Sequence, residues 1–127
     1  MEIIKWRESY NIGIESMDLQ HKLIIELINK LYNMIRQEES STMIAEILEE
    51  MKIYAEEHFR EEESLLETHK YPALSEHRDQ HQVYREKLQD LLINNDEAIM
   101  DTYTFLRKWW TEHIMNEDKQ YSEFLAQ

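Results

Sequence analysis

Four successive stretches of this chain repeat apolar residues every three or four positions, the period of an α-helix laid against a core. In the first, Leu19, Leu23, Leu27, Ile28, Leu31 and Ile35 form the stripe, with Ser16 or Asp18 as cap, and the pattern stops near Glu39-Ser40-Ser41. The second opens at Ser41 or Thr42 and carries Ile44, Leu48, Met51, Ala55, His58, Glu62 and Leu65 or Leu66 along one face. Tyr71-Pro72 disfavours helix at Tyr71, so a third helix starts between Ala73 and Glu76 and lines up His77, His81, Tyr84, Leu88 and Leu91. Beyond Asn94-Asn95-Asp96 a fourth aligns Ile99, Tyr103, Leu106, Trp110 and His113, with Trp109 bordering that face.

Residues before about Asp18 have no helical period and read as an N-terminal arm, while Lys119 to Ala126 reads as a short C-terminal helical segment. The chain has one Gly and one Pro, too few to punctuate a set of β-hairpins, so the pattern predicts an all-α fold. Short connections force neighbouring helices antiparallel, which gives an up-down-up-down four-helix bundle. A length of 127 residues fits a single domain, 1–127, with a real core.

Charge narrows the function classes. With 27 acidic against 14 basic residues and a net charge of −13, the chain is a poor partner for a nucleic-acid backbone or an anionic membrane. No stretch is long and apolar enough to span a bilayer, and the first residues, "MEIIKWRESYNIG", lack a basic region followed by an apolar run. A soluble cytoplasmic protein, monomeric, is expected. Cysteine is absent, so any metal must be held by nitrogen and oxygen.

The second stripe contains two polar residues, His58 and Glu62, four apart and therefore on nearly one line of the helix. Of the neighbouring glutamates in "HFREEE", Glu61 falls at the boundary of the stripe and Glu63 is rotated into water. His77 and His81 repeat the four-residue spacing, and His21 and His113 fall on otherwise apolar faces. Every helix thus turns at least one His inward, which is costly unless the imidazoles share a partner such as a cation. His69 sits at the C-terminal end of the second helix, where an imidazole favours the helix dipole and needs no other role. Phe59, Trp109 and Trp110 read first as core.

Five histidines plus carboxylates exceed one tetrahedral zinc, and no His-Glu-x-x-His occurs. Glu-x-x-His pairs of the ferritin-like kind are absent too, since the residues three before each His are Asp18, Ala55, Leu66, Leu74, Arg78 and Trp110. A His-rich pair of metals, leaning to iron, is the remaining fit.

The pieces "GIESMDLQHK", "HFREEE", "YPALSEHRDQH" and "WWTEHIMNEDKQY" together resemble the hemerythrin family, specifically its single-domain bacterial members, over nearly the whole chain. The resemblance implies that His77, His81 and His113 hold one iron, His21 and His58 the other, and that Glu62 and Asp118 bridge an oxo- or hydroxo-linked di-iron centre. It implies dioxygen as ligand, at an open position on the iron with two His, within a pocket of Ile24, Phe59, Trp109 and Ile114. Tyr121 matches a residue that acts on the bridging carboxylates from outside. Trp110 departs from the family's usual Leu, and its ring could narrow the pocket or turn its indole N–H towards a bound ligand. Because Asp118 lies five residues after His113, a regular helix would place it about 140° off the His line, so the fourth helix should end or distort there.

The leading expectation is a non-enzymatic dioxygen-binding protein for storage, delivery or sensing. The alternatives are a di-iron enzyme, peroxidase or nitric oxide reductase, and an iron store or plain helical module.

Overall fold

A computed structural model describes residues 3–93 and 99–126; the break expected at Asn94-Asn95-Asp96 falls outside them. The helices are α1 (Glu15–Arg36), α2 (Ser41–Thr68), α3 (Leu74–Ile93) and α4 (Ile99–Glu112). A π-helical segment, His113–Asp118, continues α4 without interruption into a short α5, Lys119–Leu125. The four long helices form an all-α four-helix bundle. α1 packs on α2 and α4, and α3 packs on the same two. No helix among the described residues is long and apolar enough to cross a membrane.

Two expectations about α1 need correction. The helix starts at Glu15, and Asp18 lies inside it, where its carboxylate accepts from the backbone N–H groups of Ile12 (2.7 Å) and Gly13 (3.2 Å). Asp18 therefore ties down the arm; neither it nor Ser16 caps the helix. Leu19 and Leu23 are exposed, at 59% and 38%, and the buried line is Met17, His21, Ile24, Ile25, Ile28 and Leu31. α1 carries two apolar lines; the one containing His21 supplies the buried core, while the other meets it only in part, through Leu27 and Ile35. The arm is also held by its own apolar residues, for Ile4 and Ile12 are buried, and Asn29 exchanges two hydrogen bonds with the backbone of Ile4.

Ser40, one residue before the expected position, caps α2 by accepting from the Met43 N–H at 3.2 Å. Its inward line runs as expected through Leu48, Met51, Ala55, His58 and Glu62 to Leu66, the fully buried one of the two leucines.

With so little glycine, α1 and α2 both end on left-handed residues of other types, Glu38 and Lys70, each with φ of 55°. Both ends satisfy their last carbonyls in the Schellman pattern: Glu39 N–H to Met34 O and Glu38 N–H to Ile35 O, then Tyr71 N–H to Leu66 O and Lys70 N–H to Glu67 O. A side chain in this conformation costs about 1 kcal/mol or more. Lys70→Gly, at an exposed site, is expected to stabilise the protein by roughly 1 kcal/mol, read as a higher urea midpoint at constant slope. A lower midpoint would show that the lysine side chain contributes more than the backbone strain removes.

Antiparallel alternation brings the start of α1, the end of α2, the start of α3 and the end of α4 to one end of the bundle. His21, His58 with Glu62, His77 with His81, and His113 occupy those four stretches. The opposite end closes on apolar groups such as Ile28, Leu31 and Leu48, and on Tyr32 against Tyr103 at 5.0 Å.

Candidate metal centre

Seven ionisable side chains meet inside that end of the bundle, each 5% exposed or less: His21, His58, Glu62, His77, His81, His113 and Asp118. The i,i+4 spacing places His58 beside Glu62 on α2, Nε2 to Oε2 3.3 Å, and His77 beside His81 on α3, rings 4.7 Å apart. Asp118 arrives by another route. In the π segment the backbone bonds run from i to i+5, so five residues come close to one full turn. His113 Nε2 and Asp118 Oδ1 are consequently 3.1 Å apart. The expected distortion of the fourth helix is this segment.

Each carboxylate divides its oxygens between two groups of imidazoles. Glu62 Oε1 lies 2.7 Å from His77 Nε2 and 3.0 Å from His81 Nε2, while Oε2 lies 3.3 Å from His58 and 3.8 Å from His21. Asp118 Oδ1 faces His113 and His77, at 3.1 and 3.2 Å, and Oδ2 faces His21 at 3.1 Å. Two sets of potential ligands result, Glu62 with His77, His81 and His113, and Glu62 with His21, His58 and Asp118, each with ligand atoms within 4.8 Å of one another.

These groups fit a cation better than they fit each other. The Nε2 atoms of His21, His58, His81 and His113 and both Asp118 oxygens are buried, and despite the short separations none makes a hydrogen bond. Buried polar atoms without partners are rare in folded proteins because each costs its lost hydration. Convergent lone pairs of nitrogen and oxygen are what a metal ion of intermediate hardness uses.

Electrostatics agree. Burial opposes the charged form of His21, but the Asp118 and Glu62 carboxylates beside it outweigh burial and push its pKa up to about 9. His77, against the same two groups, rises to about 10. Burial dominates at His58 and lowers it. Glu62 and Asp118 are held well below the usual carboxylate range, because the surrounding imidazoles overcome the cost of burying them. The raised values of His21 and His77 mean that these carboxylates favour a proton on each ring. A cation competes with those protons for the same nitrogens.

The comparisons with known proteins point to a cation-binding family. The family described as "Hemerythrin HHE cation binding domain" matches residues 12–125. The chain belongs to the hemerythrin family. It is 31% identical over 124 residues to the bacteriohemerythrin of Clostridium acetobutylicum, covering 91% of this chain and 96% of that protein. It is also 31% identical over 126 residues to that of Stenotrophomonas maltophilia, covering 97% and 82%. A myohemerythrin of Theromyzon tessulatum is 25% identical over 120 residues, covering 94% and 92%.

In this member of the hemerythrin family, groups outside the cluster orient the imidazoles. His58 Nδ1 donates to Gln20 Oε1 at 2.6 Å, and the Gln20 amide donates in turn to Glu61. His81 Nδ1 donates to Glu63 Oε2 at 2.8 Å. Each bond puts the ring proton on Nδ1 and leaves the inward Nε2 with a free lone pair, the tautomer a metal needs. Glu63 is therefore not in water as its helical angle suggests. It is 19% exposed on its side chain, turned towards α3 and held by Arg78 Nε at 3.2 Å. Spacing along one helix could not reveal it, since the partner lies on another. Tyr121, fully buried, donates its hydroxyl to Glu62 Oε2 at 3.0 Å, outside the cluster as the resemblance implies. His69 is exposed at the end of α2 with Nδ1 2.9 Å from Leu65 O, a helix terminus and nothing more.

Ile24, Phe59, Trp110 and Ile114 are all 2% exposed or less. Phe59 stacks on His81 at 3.9 Å and on Trp110 at 5.5 Å, and Trp110 lies 5.8 Å from His58. The indole N–H of Trp110 donates to Tyr84 Oη at 3.1 Å, so it is directed at α3 and is not available to a ligand in the centre. Trp109 differs from the other four. It is half-buried, lies flat on His113 at 4.3 Å with 13° between the planes, and lines an open surface cleft with Val83 and Glu117. Its imidazole contacts are with His113 and His81, on the side of the three histidines.

Proposed function

We propose that this chain holds two iron ions and uses them to bind dioxygen reversibly, for storage, delivery or sensing. The observation that carries the proposal is the division of the two carboxylates: one oxygen of each faces the set containing His77, the other the set containing His21. His77, His81 and His113 would hold one ion, His21 and His58 the other, with Glu62 and Asp118 shared. With one His fewer, the second set would leave its ion a position for an outside ligand. When bound, a pair of ferrous ions supplies the two electrons that dioxygen takes up.

The protein's own part is protection and positioning. Ile24, Phe59, Trp110 and Ile114, all buried, would wall the centre with apolar surface and exclude water and the protons it would deliver. Tyr121 fixes Glu62 by its hydrogen bond to Oε2, and Gln20 and Glu63 fix two ring planes.

The test is the iron content of anaerobically reconstituted protein and its absorption spectrum before and after air. Two irons per chain, a spectrum that changes on exposure and its return when dioxygen is removed are expected. One metal per chain, or full occupancy by zinc with no iron uptake, would sink the di-iron reading; steady turnover of hydrogen peroxide or nitric oxide would replace the carrier by an enzyme.

A further inference from the structure

The outer hydrogen bonds of the two halves differ in charge, and nothing in the ligand set itself requires that difference. On the three-His side, His81 Nδ1 donates to a carboxylate, Glu63 Oε2 at 2.8 Å. On the two-His side, His58 Nδ1 donates to a neutral amide, Gln20 Oε1 at 2.6 Å, and the negative charge of Glu61 is one residue further out. Glu63 is also the more enclosed of the two acids, 19% exposed on its side chain, and it is shared with Arg78 at 3.2 Å and Arg85 at 4.0 Å. An imidazole that gives its Nδ1 proton to a carboxylate becomes a stronger electron donor through Nε2 than one bonded to an amide. A stronger donor favours the more highly charged metal ion.

Resting on the two-iron reading above, we propose that Glu63 is a positioning residue that makes the centre electronically unequal. Through His81 it stabilises the ferric state of the ion held by His77, His81 and His113, and so lowers the reduction potential on that side. The two-His side, lacking such a carboxylate, is the more easily kept ferrous. Arg78 and Arg85 moderate the effect by drawing charge from Glu63 towards the surface.

The experiment measures the midpoint potential of iron-loaded protein by anaerobic redox titration followed in the absorption spectrum. It compares the natural chain with Glu63→Gln and Glu61→Gln, which remove one charge each from the same helix. Glu63→Gln is expected to raise the potential by about tenfold in the ferric-to-ferrous ratio, about 59 mV for one electron. Glu61→Gln, which touches no imidazole, should move it less than about threefold, the part owed to distant charge alone. Equal shifts in the two variants, or none in either, with both irons retained, would overturn the proposal. Should Glu63→Gln hold no iron, Arg78→Gln decides instead: Glu63 remains, freed of its competing guanidinium, and the potential should fall. An unchanged or higher potential overturns the proposal. If the natural chain itself fails to take up two irons, the reading beneath it fails and this inference with it, whereas full loading without the shift removes this inference alone.

Discussion

Glu62→Ala is expected to abolish iron loading in a protein that still folds as a bundle. The carboxylate is fully buried and faces four imidazoles, two from each oxygen, so in the proposed centre its loss would take a ligand from both halves at once. Losing an outer hydrogen-bonding partner already costs about 10–100-fold in metal affinity, so losing a shared ligand should cost more than about 100-fold. Glu61→Ala, at an exposed position bonded only through Gln20, should load normally. Iron per chain after reconstitution and desalting, with circular dichroism to check the helices, separates the cases. If Glu62→Ala holds two irons, the shared-carboxylate geometry is not what binds them.

Trp110→Leu should have the opposite character, leaving iron in place and changing access to it. The ring is completely buried, stacks on Phe59 and approaches His58, and it is anchored by its hydrogen bond to Tyr84. Leucine removes much of that volume and leaves the Tyr84 hydroxyl without its donor. Stability should fall by about 2–4 kcal/mol. Azide and dioxygen should reach the iron faster, and autoxidation should change because the same ring keeps solvent protons out. Stopped-flow traces of both proteins at equal iron content measure this. Rates that agree within error would reduce Trp110 to core packing.

Local periodicity determined a great deal. Helical order follows from three- and four-residue repeats, and the His58–Glu62 and His77–His81 pairs follow from the same rule, because residues four apart share a line whatever the helix packs against. Asp118 came only from the family resemblance; once it is paired with His113, the five-residue interval calls for a distorted helix, and the π segment supplies it. The ordered set of histidines and acids then carried the family.

What periodicity could not decide was anything set by a neighbour. α1 has two apolar lines, and the choice of Met17, His21 and Ile24 over Leu19 and Leu23 was made by α2 and α4 packing against it. Glu63 looks solvated along α2, yet its partner His81 lies 18 residues on, and Gln20 meets His58 across 38. The indole N–H of Trp110 points to Tyr84, 26 residues away, rather than into the centre. A hydrogen bond between helices depends on their separation and rotation, which are fixed when whole faces of the bundle bury together. The sequence by itself therefore determined which residues could line the centre, whereas only the tertiary structure decided how each imidazole is held and which way the wall around it faces.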